Sequence, residues 1–257
     1  MRIICEIGLN HLGDVEYSRD ILNSLLDKNV WGITYQVREN SFYKNPDYSH
    51  LMLNENEYSC IQSLCASSDK KFGIALADPE KLEFFENVGV DFYKTLSWDI
   101  QNYNYLMKLS STQKEIFIST GMSSYADLVD WSHEVMSKNI SDDNFSLIHT
   151  QLDSSINSTH LNAIPYLRSS FKYPIGYLNH CENPLVIYLS IGFVPDFLFL
   201  YVKLSKEVKH IDEDHSLYID TLDGIIENID SLKRALGSKF KERIEHKDKF
   251  LRNNSDS

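Results

Sequence analysis

RIICEIGLNHLGD, Arg2 to Asp14, is the stretch that decides the fold. Arg2 to Gly8 has the β-branched and apolar content of a buried strand, yet it carries a glutamate, Glu6, in its interior. The turn that follows, GLNHLGD, lacks the Gly-x-Gly-x-x-Gly pattern that opens a doubly wound dinucleotide-binding sheet. An open sheet therefore loses its usual sequence signal at the first turn. The rest of the chain must supply the alternative.

It does so by repetition. Strand candidates RIICEIG, GITYQV, KFGIALA, DFYKTLS, EIFISTG, FSLIHTQ, PIGYLNH and FLFLYVKL begin near Arg2, Gly32, Lys71, Asp91, Glu115, Phe145, Pro174 and Phe197. Between them, apolar residues at helical spacing predict helices over 18–28, 55–68, 79–88, 101–111, 125–137, 159–170 and 184–191, and a last one over 217–236. Asp78-Pro79-Glu80 reads as an N-cap, a first-turn proline and a dipole-compatible acid, and Gly237 reads as a stop. Eight β/α units in 257 residues predict an α/β fold of the TIM (β/α)8 barrel type. It is read as a single domain over 1–237, with a charged C-terminal helix and tail over 238–257.

A formal net charge of -12 argues against a nucleic-acid or anionic-membrane partner, while leaving room for a local anion pocket. The N-terminus lacks the basic, apolar and small-residue order of a signal peptide, and no apolar run reaches roughly 18 residues. A cytoplasmic protein without membrane insertion is expected. Cys5, Cys60, Cys65 and Cys181 show no paired spacing, so reduced thiols are expected rather than a zinc site or a disulfide framework.

In such a barrel the C-terminal ends of the strands form the active-site face. Those ends carry Glu6, Asn10 and His11, then Gln36 and Arg38, then Lys94, Ser97 and Asp99. Further along come Ser119, Thr120 and Gly121, His149, Thr150 and Gln151, and finally Tyr177, Asn179 and His180. Any one of these also suits a chain that turns and meets water. Glu6, Gln36 and Lys94 are different, because they sit inside apolar strands, where a polar group must find a partner or a ligand. Lys94, Ser119, Thr120 and the Gly121 backbone suit a phosphate or carboxylate, and Glu6 suits a proton or a sugar hydroxyl. His180 suits a metal or a hydrogen bond.

The order EIGLNHLGD, TYQ, YKTLSWDI, ISTGM, IGYLNH and DEDHSL resembles the sialic acid synthases, the N-acetylneuraminate, legionaminate and pseudaminate synthases, from about Arg2 to Gly237. That resemblance implies a barrel condensing phosphoenolpyruvate with an N-acetylated sugar aldehyde to give a nonulosonic-type 2-keto-3-deoxy sugar acid and phosphate. It implies catalytic roles for Glu6, Lys94 and His180, and a divalent metal, Mn2+ or Mg2+, held by His180. Gln36 and Ser119 match substrate-binding positions. The strand-end reading adds Asn10, His11, Ser97, Thr120, Tyr177 and Asn179 as substrate-binding candidates. A homo-oligomer is left open.

The chain departs from the family's pattern at several positions. A family lysine is Thr34 here, the serine and aspartate of GYSDH are Leu178 and Asn179, and the strand-eight EKH is Phe199 to Tyr201. The sequence also shows no counterpart of the family's small C-terminal domain. These changes leave the metal site incomplete and keep a second reading open, a catalytically degenerate barrel acting as a binding or scaffold partner in surface-polysaccharide biosynthesis. A third reading makes Lys94 a Schiff-base nucleophile. Trp98 suits packing or sugar stacking, and the YKNPDYSHLM loop suits substrate access or a plain surface excursion. His215 suits pocket closure, with capping by Asp214 or Ser216 equally open.

Overall fold

Strands buried on both faces read as near-continuous apolar runs, and all eight candidates form. In the computed structural model, which describes residues 1–204 and 208–241, they are β1 (Arg2–Gly8), β2 (Gly32–Val37), β3 (Lys71–Leu76), β4 (Phe92–Lys94), β5 (Glu115–Ser119), β6 (Phe145–His149), β7 (Ile175–Asn179) and β8 (Phe197–Lys203). Each pairs in parallel with the next. β1 also pairs with β8, placing Arg2 beside Phe197 and Glu6 beside Tyr201, and this closes the barrel and rules out the open sheet.

Helices α1 (Val15–Leu26), α2 (Asn40–Tyr43), α3 (Glu55–Ser67), α4 (Leu82–Val88), α5 (Tyr103–Ser111), α6 (Tyr125–Ser137), α7 (Ala163–Ser170), α8 (Leu185–Ile191) and α9 (Leu222–Leu236) surround it. Local chemistry fixes several ends. Asp14 caps α1 by accepting from the Tyr17 N–H, and Ser124 and Asp127 form a reciprocal capping box at the start of α6. The helix expected over 159–170 begins only at Ala163, because His160 takes a left-handed φ of 45°. The one expected over 217–236 begins at Leu222. Leu217–Tyr218 instead forms a short strand, β9, beside Val202 and Lys203 of β8. Of the expected C-terminal helix and tail, residues 238–241 are non-helical, and the remainder lies outside the described residues. No helix among the described residues is long and apolar enough to cross a membrane.

The barrel has two apolar layers. Most core residues lie between strands and helices. The lumen is filled at its N-terminal end by Ile4, Phe92, Phe117, Ile148, Phe197 and Phe199. Phe117 meets the rings of Phe92, Phe197 and Phe199 edge-on at 5.4, 4.7 and 5.2 Å. Glycines make room for these rings. A Cβ on Gly73 would lie 2.2 Å from Phe92, and one on Gly176 2.1 Å from Phe197. Below them the Arg2 guanidinium lies 4.6 Å from the Trp31 ring and donates to Glu115 at 2.6 Å, sealing the lower end. Polar side chains are thereby concentrated at the opposite end.

Gly176→Ala is expected to destabilise the protein by about 1–3 kcal/mol through this overpacking. Gly224→Ala, in α9 with nothing within 4 Å of the added methyl, is expected to stabilise it by about 0.5–1 kcal/mol. Urea unfolding of the two variants beside the parent chain checks both signs.

Candidate active site

The deepest polar contact joins β1 to β4. Lys94 Nζ donates to Glu6 Oε2 at 2.8 Å, with the two side chains 3% and 0% exposed. The rings of Phe199 and Tyr201 each lie 5.6 Å from the ammonium. Two ions this far from water persist only as a pair, and the pair is not complete. Glu6 Oε1 has no hydrogen-bond partner among the described residues, nor has the hydroxyl of Thr34, which sits beside Glu6 on β2. The position that the family resemblance gives to a lysine therefore holds a short, unsatisfied hydroxyl.

One wall beside Lys94 is built from hydroxyls. Ser97 Oγ lies 2.9 Å from Ser119 Oγ and accepts from the Gly121 N–H at 3.2 Å. A Cβ on Gly121 would fall 2.8 Å from Ser97 Oγ, so glycine is what lets the turn approach so closely. The Thr120 hydroxyl points elsewhere and donates to the Ile148 carbonyl at 2.8 Å.

The other wall is aromatic and acidic. The His180 ring lies 5.4 Å from Tyr201 and 4.8 Å from His215, and its Nδ1 meets Thr150 Oγ1 at 2.8 Å. Burial, then the charges of His215 and Lys94, hold His180 well below the usual imidazole range. Asp212 lies near the same floor, where burial first and the Glu6 carboxylate second push its carboxyl up to about 7. The sequence pointed to it only through the acidic Asp212 to Asp214 run, as a segment that could move in to help complete a metal site.

Asn10 holds that wall in place. It is fully buried, donates to the Val202 carbonyl at 2.9 Å and to Ser216 Oγ at 3.0 Å, and accepts from the Asp212 N–H at 3.1 Å. A second clamp runs through Glu213, which Lys203 and His210 both contact, with Tyr17 on the far side of the His210 ring at 2.7 Å. The loop carrying Asp212 and His215 is thus tied to the barrel at both flanks.

Gln36, Lys94, Ser97, Ser119 and His180 all line one cavity of about 270 Å3, together with Arg38 and Asp212. Glu6 reaches it through Lys94. Other expected substrate candidates also make contacts within the protein, while His11 Nε2 has no partner among the described residues. Asn10 anchors the loop, and His11 stacks on Tyr35 at 5.7 Å while its Nδ1 accepts from the Gly13 N–H. Tyr177 donates to Asn179 Oδ1, and Asn179 donates to the Cys181 carbonyl. Asn179 and His215 border a separate cavity of about 380 Å3.

The expected divalent metal finds no matching donor set. No group of three or more His, Cys, Asp or Glu side chains among the described residues is arranged to hold one. His180 contributes a single imidazole with its Nδ1 engaged by a hydroxyl, and the second family histidine position holds no imidazole. Mn2+ and Mg2+ favour about six oxygen-rich ligands, so these residues do not fit either ion.

Two outcomes follow from the buried charges. Lys94→Ala leaves Glu6 alone in the lumen and is expected to cost about 3–5 kcal/mol in urea unfolding, whereas the Glu6→Leu, Lys94→Met double variant is expected to come back close to the parent. Buried His11 and His215 are held at about 4, and His149 and His180 are also lowered from 6.5. The unfolded chain therefore binds more protons on these four groups between about 4 and 6.5, and their stability is lost as pH falls through that window. Asp212 and Asp99, raised to about 7 and about 6, act with the opposite sign, contributing stability at low pH that is lost as pH rises. Four imidazoles outweigh two carboxyls, so the melting temperature is expected to fall between pH 6.5 and 4, as scanning calorimetry across that range would measure.

Comparison with known proteins agrees with this architecture. The chain is 25% identical over 244 residues to an uncharacterized protein of Methanocaldococcus jannaschii, covering 92% of this chain and 72% of the relative. It is 23% identical over 272 residues to the N,N'-diacetyllegionaminic acid synthase of Campylobacter jejuni, covering 97% and 81%. The crystal structure of an N-acetylneuraminic acid synthetase from Leptospira borgpetersenii superimposes with a TM-score of 0.84 at 21% identity, covering 94% of this chain and 87% of that one. The model of the NeuB family matches residues 15–241, and the chain belongs to that family.

Proposed function

We propose that this protein condenses phosphoenolpyruvate with an N-acylated sugar aldehyde, forming a 2-keto-3-deoxy sugar acid and releasing phosphate. The observation that carries this reading is the buried Lys94–Glu6 pair at the floor of an open cavity, with one glutamate oxygen unpartnered. Lys94 and the Ser97 and Ser119 hydroxyls supply charge-assisted and neutral donors for a phosphate or carboxylate. The chemistry forms one carbon–carbon bond, from the enolpyruvate methylene to the aldehyde carbon. The aldehyde oxygen takes up a proton, water adds at the cationic carbon left bearing the phosphate ester and gives up a proton, and the resulting tetrahedral centre collapses to the ketone as it expels phosphate.

The chain's own groups suit those proton movements. Asp212, protonated up to about 7, is an acid on the same floor, and the free oxygen of Glu6 suits accepting a proton from the attacking water. The similarity to the N,N'-diacetyllegionaminic acid synthase of Campylobacter jejuni supports the same reaction class. The reading carries with it the cytoplasmic location expected from the sequence.

The degenerate-barrel reading rests on Thr34, whose unsatisfied hydroxyl replaces a phosphate-site cation, and on the absence of a fitting metal donor set. A phosphate-release assay with phosphoenolpyruvate and a panel of N-acylated sugars separates the two. Release is expected with at least one sugar, with Glu6→Gln lowering turnover by about 10²-fold or more. Lys94→Met is expected to weaken phosphoenolpyruvate affinity roughly ten- to a hundredfold. No release with any sugar would favour the binding barrel.

A further inference from the structure

Tyr201 joins the aromatic plug to the cavity above it. On β8 it pairs with Glu6, its ring packs with the lumen cluster, and it lines the same cavity as Lys94, His180 and Asp212. It is also the residue at the second family histidine position. The cavity lining grades from Trp98, 47% exposed at the mouth, to Tyr201, 5% exposed at the floor. Among the described residues, the Tyr201 hydroxyl has no hydrogen-bond partner. A phenol this deep ordinarily finds one, so its hydroxyl is left for whatever enters the cavity.

The ring itself is firmly held. His215 meets it edge-on at 4.6 Å, and the tilted His180 ring lies 5.4 Å away. Gly8, at a left-handed φ of 57°, supplies the clearance, since a Cβ there would lie 3.2 Å from both Tyr201 Cε1 and Asp212 Oδ2. The turn out of β1 therefore lets the phenol ring and the Asp212 carboxyl converge on one spot. Lys94 Nζ lies 5.6 Å from the ring centre and already balances the charge of Glu6. A divalent cation here would bring further positive charge to a carboxylate that is already paired.

When a nucleophile attacks an aldehyde, negative charge develops on the carbonyl oxygen, and a fixed phenol O–H is one of the groups that can meet it. A phenol stays protonated at neutral pH without help from its surroundings. Resting on the synthase reading above, we infer that Tyr201 is a catalytic residue that donates a hydrogen bond to the aldehyde oxygen of the sugar, and that this chain runs the condensation without a divalent metal ion. As the enolpyruvate methylene bonds to the aldehyde carbon, the carbonyl π pair moves onto the oxygen that Tyr201 holds. That oxygen takes its proton from the Asp212 carboxyl. The proton given up by the attacking water balances the one Asp212 loses.

Two measurements on the full chain test this. The first needs no turnover: free Mn2+ is followed by its electron paramagnetic resonance signal as metal-stripped protein is added, and no loss of signal is expected. The second compares phosphate release, with phosphoenolpyruvate and the panel of N-acylated sugars, in a strong chelator and in added Mn2+. Equal rates are expected. Tyr201→Phe keeps the ring and removes the hydroxyl; it is expected to lower kcat about 10²- to 10³-fold in the chelator, with the KM for phosphoenolpyruvate and the melting temperature unchanged. Stoichiometric Mn2+ binding, release that depends on added Mn2+, or an undiminished kcat in Tyr201→Phe overturns the inference and leaves the synthase reading standing. No release under any condition sinks the synthase reading, and the role of Tyr201 falls with it.

Discussion

A carboxylate and an ammonium in the lumen of a closed barrel have no water to turn to, and Lys94 and Glu6 answer that constraint with each other. The aromatic plug beneath them sets how deep the pair can sit, and the Phe199 and Tyr201 rings flank the ammonium at equal distance. Because the pair spans from β1 to β4, it fixes two non-adjacent strands relative to one another across the lumen. Asp212 and His180, each shifted first by burial, also feel the charges of this pair.

A second dependency runs through Asn10. Two of its three hydrogen bonds bring a loop roughly two hundred residues later in the chain onto the turn after the first strand, and with that loop come Asp212 and His215. Removing the amide would leave the Asp212 N–H and a strand carbonyl without a partner in a buried place. The opening motif therefore serves the site twice, once through Glu6 on the floor and once through Asn10 behind the wall.

The barrel was legible because its strands are buried on both faces and so depart from polar alternation, and because no glycine-rich turn competed for the first unit. Glu6, Gln36 and Lys94 stood out because a polar side chain inside an apolar strand requires a partner. Strand-end position marks a residue as close to the active face but is silent on where its hydrogen bonds go, as with Tyr177, which donates to Asn179 Oδ1. Asp212 was legible only as part of an acidic run, since it belongs to a loop and is held at the floor by Asn10 from the other end of the chain. The start of α7 turned on the backbone of one residue, His160, and periodicity carries no trace of that.

Arg2 and Glu115 close the lower end of the lumen beneath an aromatic stack, and the cavity opens at the strand C-termini. Such a site is a blind alley, and traffic in a blind alley has an order. Whatever rests against Lys94 must arrive before whatever lies across Trp98, and it cannot leave until the outer occupant has moved. For two substrates that meet in this space, the shape of the barrel itself imposes a compulsory sequence of binding.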